Sequence, residues 1–338
     1  MKYTMLLWPH ANARYQQETR KLAAAELRLM LERTCPEASA AIDEGAAMPC
    51  LTLECPGALG ERALDAIARH SLLYQLFERR EDGSLLPILG RAPALLGDDL
   101  PAILKYKGKT NEMFLQLLIN LGLYAGDYHA GPETLSFFDP MCGRATAPFI
   151  ALNRGWNATG ADVDKNDLKE AERFFKRYLE YHRFKHHMAR ESRTLRGGKS
   201  APVVKFEVAP PEKNVILNLI NSDVARSAEA MGKGSVHIIA CDLPYGIRHD
   251  ALPGQGVPKG GNWLEALLVH ALPAWHGILK PGGTVALSFN AQSFRRDRLR
   301  NLMADAGFEV MTGGDYDGLE HWVEQAITRD VAVARKPR

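Results

Sequence analysis

From Gly126 onward, short apolar runs alternate with helix-patterned stretches, and no other feature restricts so strongly what this chain can fold into. Leu135–Phe138 reads as a strand, Ala145–Leu152 as a helix, Ala158–Val163 as a strand, and Asp167 to about Ser192 as a long helix. Val236–Cys241 and Thr284–Ser288 are further strands, and Gly261–Ile278 between them is largely helical, with Pro273 a point of kinking or interruption. Strands joined by helices run parallel, so the expected fold class is α/β, with a doubly wound, mostly parallel sheet. A helix over about Thr110–Tyr124, capped by Thr110 or Asn111, precedes this region. Gly197 to Pro202 marks a turn and Val203–Val208 a strand, which predicts a hairpin or lobe beside the sheet. Trp322–Ala334 is β-rich and expected as an edge strand.

The first hundred residues have a different rhythm. Tyr3–Trp8 reads as a strand stopped by Pro9, Tyr15–Arg33 as a helix, Pro49–Glu54 as a strand, Leu59–His70 as a helix and Ser71–Glu78 as a strand. The βαβαβ order predicts a small ferredoxin-like α+β domain over residues 1–82. Residues 83–104, rich in Gly, Pro and Leu, are expected as a linker to a domain over 105–338.

Composition excludes rather than selects. The 338 residues carry a net charge of +2, so the total charge demands no polyanionic partner. Locally, residues 165–199 hold eleven Lys/Arg against five Asp/Glu, a stretch that either meets phosphates or is simply a solvated face. The five cysteines are scattered, without a zinc-like spacing, which suggests reduced thiols, a cytoplasmic protein and no metal. No apolar run is long enough for a membrane span.

The chemistry-bearing residues cluster at strand ends. Asp139-Pro140-Met141-Cys142-Gly143 follows the first strand of the larger domain; a glycine there lets backbone approach a ligand, and the acid can take a ligand ammonium. The spacing is not the dinucleotide pattern, which disfavours NAD. Asp162, in Gly160-Ala161-Asp162-Val163-Asp164, is placed to hold ribose hydroxyls, whereas Asp164 is a candidate helix cap. Asp223, after Asn221-Ser222, either receives a ligand amine or caps a turn. Asp242-Leu243-Pro244-Tyr245 ends the apolar run Val236–Cys241 with an acid, a rigid proline and an aromatic ring. Such a set grips a flat, amine-bearing group, the acid accepting from the amine and the ring stacking on its face.

The ordered set resembles the class I S-adenosylmethionine-dependent methyltransferases, in their amino-methylating branch, over roughly Lys105–Arg335. The wording is more similar still to the THUMP-associated RNA guanine N2-methyltransferases: Asp139–Gly143 resembles their DPxCGxGT signature, Asp242–Arg248 their DxPYGxR signature, and Lys107-Gly108-Lys109-Thr110-Asn111 a segment that contributes to their cofactor site. Arg144 and Ala145 replace the small residue and second glycine of the first signature, and a full THUMP module is not evident. The resemblance implies a Rossmann-like class I methyltransferase fold and S-adenosyl-L-methionine held by Thr110, Asp139, Met141, Gly143, Asp162, Val163, Asp223 and Asp242. It further implies that Asp242, Leu243, Pro244 and Tyr245 carry the reaction, with Tyr245 and Arg248 on the substrate. RNA, tRNA above all, is the implied partner. The adjacent N1–H and N2–H donors of guanine suit a carboxylate. Adenine N6, cytosine N4 and a protein glutamine amide remain alternative acceptors.

Overall fold

The computed structural model describes residues 1–130, 134–244 and 263–338. They divide into two compact units, Met1–Pro93 with Thr312–Val331, and Ala94–Met311 with Ala332–Arg338.

The first unit contains β1 (Lys2–Leu7), α1 (Ala13–Thr34), β2 (Ser39–Ile42), β3 (Cys50–Glu54), α2 (Glu61–Ala68), β4 (Leu73–Arg79) and β5 (Leu85–Leu89). Its sheet has the order β2-β3-β1-β4-β5, with every pairing antiparallel. This is a ferredoxin-like α+β arrangement with an extra edge strand. The sequence reading lacks β2 because Ser-Ala-Ala-Ile is short and alanine is depleted in strands; pairing with β3 makes it a strand. Buried Glu26 of α1 accepts hydrogen bonds from the Ser71 backbone N–H (2.9 Å) and the Ser71 hydroxyl, tying α1 to the turn before β4. From the 312–331 segment, Asp315 accepts from Arg28 Nε (2.9 Å), and the Trp322 ring lies 4.1 Å under the Arg14 guanidinium.

The second unit contains α3 (Leu100–Ile103), α4 (Glu112–Ala125), β6 (Ser136–Asp139), α5 (Thr146–Asn153), β7 (Asn157–Asp162), α6 (Lys165–Tyr181), β8 (Lys185–Thr194), β9 (Ser200–Ala209), β10 (Val215–Asn221), α7 (Val224–Ser227), β11 (Val236–Asp242), α8 (Trp263–Ile278), β12 (Leu279–Asn290), α9 (Arg296–Asp305) and β13 (Glu309–Val310). After β14 (His321–Glu324) of the first unit comes β15 (Ile327–Arg335), whose end joins the larger sheet. The order of that sheet is β13-β15-β12-β11-β6-β7-β10-β9-β8. Strands β12, β11, β6, β7 and β10 are mutually parallel. The chain runs outward from β6 to β10, then returns to β11 and runs the other way. The switch therefore lies between β6 and β11, where a doubly wound sheet opens its ligand crevice at the C-terminal strand ends.

Three expectations change. The helix after Asp164 stops at Tyr181, with Arg183 in the left-handed region (φ +59), and residues 185–194 form β8 instead. This segment lacks a helical apolar stripe; it pairs with β9, which pairs with β10, so an antiparallel hairpin extends the sheet. The expected edge strand is two strands, and β15 lies between β12 and β13, with Val331–Ala334 buried. The stretch 83–104, expected as a linker, carries β5 and α3. Within it, the Leu95 and Leu96 amides donate to Asn153 O (3.0 Å) and Oδ1 (3.1 Å), and Asn153 Nδ2 donates to Gly97 O (2.8 Å).

Aromatic packing holds the helices that frame the switch point. Phe149 of α5 stacks on Phe175 of α6 at 5.2 Å, and Phe175 meets Phe206 of β9 edge-on at 5.1 Å. All three are fully buried, each worth about 1.5–3 kcal/mol of apolar burial. The Tyr178 hydroxyl lies 2.9 Å from Leu96 O and 2.7 Å from Asp99 Oδ1, and Gly97 turns at φ +126 beside it. A Cβ on Gly97 would fall 2.4 Å from that hydroxyl oxygen. Gly97→Ala is therefore expected to lower stability by about 1–3 kcal/mol in urea unfolding. Adding Tyr178→Phe to it should recover part of the loss, although Tyr178→Phe alone destabilises; strict additivity would contradict this contact.

Candidate functional site

Because β6, β7 and β11 are adjacent and parallel, their C-terminal residues Asp139, Asp162 and Asp242 arrive at one edge of the sheet. Asp139 is buried, and its Oδ1 accepts from the Met141 backbone N–H at 3.0 Å. Burial, together with the nearby charges of Asp162 and Asp242, pushes its pKa up to about 8. Asp162 accepts from the Gly143 N–H at Oδ2 (2.8 Å) and from the Asp164 N–H at Oδ1 (2.9 Å); burial raises its pKa as well. Asp242 is held from both sides, Oδ2 accepting from Thr110 Oγ1 (2.5 Å) and Oδ1 from Ser288 Oγ (2.8 Å).

The turn after β6 is shaped for close approach. Gly143 has φ +50, and Ala145, at φ +67, takes a left-handed conformation that is costly for a residue with a Cβ. The Cys142 N–H bonds Ala161 O at 2.9 Å, which lays the turn over the end of β7. Gly160 makes this possible, since a Cβ there would fall 2.7 Å from Cys142 Sγ. Cys142 and Cys241 are buried, and burial pushes both thiols well above their usual range, which fits packing rather than nucleophilic roles.

The structure thus brings Thr110, Asp139, Met141, Gly143, Asp162 and Asp242 together. The Thr110 bond joins the segment before α4 to the end of β11, and Asn111 Oδ1 caps α4 by accepting from the Met113 (2.9 Å) and Phe114 (3.2 Å) amides. Val163 O accepts from Asn221 Nδ2 at 3.1 Å, which clamps β7 to β10. Asp223 caps α7, its Oδ1 accepting from the Arg226 N–H at 2.9 Å, and Asp164 caps α6 in the same way through Asn166 N (2.7 Å). Leu243 is buried and its N–H donates to Ser288 O at 2.8 Å; Pro244 is half-buried. Tyr245 and Arg248 lie outside the described residues.

Sequence reasoning missed Ser288, Tyr106 and the Arg144–Asp167 pair. Ser288 is opposite Asp242 in the sheet register, so the strand-end rule applied to Thr284–Ser288 would have found it. The Tyr106 hydroxyl is 3.3 Å from Thr146 Oγ1, and its ring lies 4.8 Å from the Arg144 guanidinium, whose Nε is 2.8 Å from Asp167 Oδ1. Nothing local in the sequence marks that tyrosine.

No protein-family model matches the chain, and no curated protein matches it. Solved structures do resemble it. A methyltransferase from Pyrococcus furiosus is 15% identical, with a TM-score of 0.43, covering 70% of this chain and 89% of that one. A candidate RNA methyltransferase from Pyrococcus horikoshii is 16% identical, with a TM-score of 0.40, covering 70% and 92%. The magnesium protoporphyrin IX methyltransferase of Synechocystis, solved with S-adenosylmethionine bound, is 16% identical, with a TM-score of 0.37, covering 68% and 86%. The fold itself is Rossmann-like α/β.

The raised pKa of Asp139 has a thermodynamic signature. Between the ordinary carboxylate range and about pH 8, the native state holds a proton that the unfolded state has released, so stability falls as pH rises across that window and levels off above it. Asp162 adds to the same sign. Asp139→Asn is expected to flatten this slope in urea unfolding from pH 5.5 to 9; an unchanged slope would place the proton elsewhere.

Proposed function

We propose that the second unit is an S-adenosylmethionine-dependent amino-methyltransferase acting on N2 of guanosine in RNA, with tRNA the foremost candidate. The observation that carries this reading is the Asp242 carboxylate, oriented by Thr110 and Ser288 at the end of β11, beside buried Asp139 and half-buried Asp162.

The residues suit a cationic cofactor. Three acids crowd one strand edge, and the ionised form of Asp139 is disfavoured by burial and by its acidic neighbours. A ligand bearing a sulfonium and an ammonium relieves that repulsion. On this reading Asp139 meets the positively charged end of the cofactor, and the Met141–Gly143 backbone lies against it. Asp162 and Val163 take the ribose, and Asp223 lies near the adenine while capping α7. S-adenosylmethionine supplies an electrophilic methyl group on a sulfonium sulfur.

The chain's part is to aim a poor nucleophile. The lone pair of the guanine amine is delocalised into the ring, so orientation and preorganised acceptors matter most. Thr110 and Ser288 each donate a hydroxyl to the Asp242 carboxylate and so orient it to accept from guanine N1–H and N2–H. The Leu243 N–H bond to Ser288 fixes the peptide whose neighbouring carbonyl accepts the second amine hydrogen. Tyr245 stacks on the base and Arg248 meets phosphate or base, as the signature resemblance suggests. Transfer of the methyl group to N2 would release the thioether product and leave a cationic amine, whose proton would pass through the hydrogen-bonded Asp242 to solvent. A base in an RNA stack must be extruded to reach such a site.

Incubating unmodified tRNA transcripts with the protein and cofactor, followed by nucleoside mass spectrometry, tests this. N2-methylguanosine is the expected product. Asp242→Asn is expected to lower turnover by about 100-fold or more while leaving cofactor affinity within about threefold, the usual scale for a lost transition-state contact. Methyladenosine, methylcytidine or transfer to a glutamine amide would overturn the guanine assignment, and full turnover by Asp242→Asn would overturn its role.

A further inference from the structure

We propose that one stripe of helix α6 is a track for the phosphodiester backbone of RNA, leading away from the acceptor site and ending in a base-stacking tyrosine. This rests on the reading of the second unit as an RNA-modifying enzyme and adds where the RNA lies.

Lys165, Lys169, Arg173, Arg177 and Tyr181 recur at strict four-residue spacing, which places them on one inclined row of a helix. All five are exposed, Tyr181 to 84%, a large value for an aromatic side chain that packing would otherwise claim. The row spans about 24 Å at 1.5 Å per residue, long enough to run beside several nucleotides. Among the described residues, Lys165, Lys169 and Arg177 make no ion pair, and no acid interrupts the row. Glu170 pairs with Arg173 at 3.0 Å, and Glu172 is engaged by Arg190 of β8.

The hairpin that extends the sheet turns this row into one wall of a groove. Arg190 faces the helix, and with Lys169, Arg173, Lys176 and Arg177 it lines a trough of about 480 Å³ holding five basic side chains against two glutamates. The excess of positive charge remains after internal pairing, as a polyanion track requires. Position gives the track its direction. Helix α6 begins directly after the β7 end that carries Asp162, and Arg144–Asp167 (2.8 Å) ties its first turn to the Gly143 turn. The row therefore starts at the sheet edge that holds the acid cluster and descends along the sheet. At its far end, the exposed Tyr181 ring offers a sequence-tolerant stacking platform for an unpaired base.

Fluorescence anisotropy with a labelled, unmodified tRNA transcript between 50 and 300 mM salt tests the track. The variant combining Lys169→Gln, Arg173→Gln and Arg177→Gln is expected to bind at least tenfold more weakly and to lose about two units of salt slope. Tyr181→Ala is expected to weaken binding about fivefold or more with the slope unchanged. In methyl-transfer assays the triple variant should raise KM for RNA and leave kcat intact, with S-adenosylmethionine affinity unchanged. Wild-type transfer to tRNA with unaltered KM and slope in the triple variant would overturn the track and leave the methyl-transfer reading standing. Loss of tRNA binding in the triple variant without any methylation by the wild type would sustain the track and overturn the methyl-transfer reading. A wild type that neither binds nor methylates tRNA overturns both.

Discussion

Parallel pairing of β6, β7 and β11 forces three carboxylates, Asp139, Asp162 and Asp242, to one edge of the sheet, and the surrounding structure is organised by the need to tolerate them. Like charges in a partly buried volume repel, and each acid is met by donors: the Met141 amide, the Gly143 and Asp164 amides, and the hydroxyls of Thr110 and Ser288. Those donors come from the turns after β6 and β7, the segment before α4 and strand β12. Gly143 turns through a positive φ, Ala145 is held in the left-handed region, and Gly160 leaves room for Cys142. Such crowding disfavours the ionised form of Asp139, and a nearby cation would relieve it.

Much of this was legible in the sequence. Strand–helix alternation gives the parallel sheet, and the rule that ligands gather at C-terminal strand ends singles out Asp139, Asp162 and Asp242. What escaped has a common physical cause: pairing between residues distant in the chain. Ser39–Ile42 is a strand only because β3 lies beside it. Residues 185–194 are polar and carry little strand signal, yet the β9 edge makes them one. Ser288 matters because the register sets it opposite Asp242. Tyr106 joins the glycine turn through an arginine contact that no local pattern encodes. Asp223 illustrates an ambiguity that only geometry addresses, since its side chain caps α7.

The β8–β9 hairpin gives the second unit its individual character. It continues the sheet beyond β10 and supplies the wall opposite α6, and its Phe206 joins the Phe149–Phe175 stack that seats the helix. One insertion therefore contributes, on the face turned to α6, both the Phe206 packing beneath the helix and the Arg190 wall of the basic trough. The same helix carries the Asp164 cap and the Asp167 link at its start, so the acid cluster and the trough share a rigid element.

On the proposed reading the acid cluster receives the cationic cofactor, and Asp139 gives up its proton as the cofactor binds. Titrating S-adenosylmethionine calorimetrically between pH 6 and 9, in buffers of different ionisation enthalpy, tests this most directly. Proton release on binding is expected below about pH 8, with affinity that rises with pH up to that point and loss of both effects in Asp139→Asn. Binding without proton exchange, or the same proton release in Asp139→Asn, would contradict it.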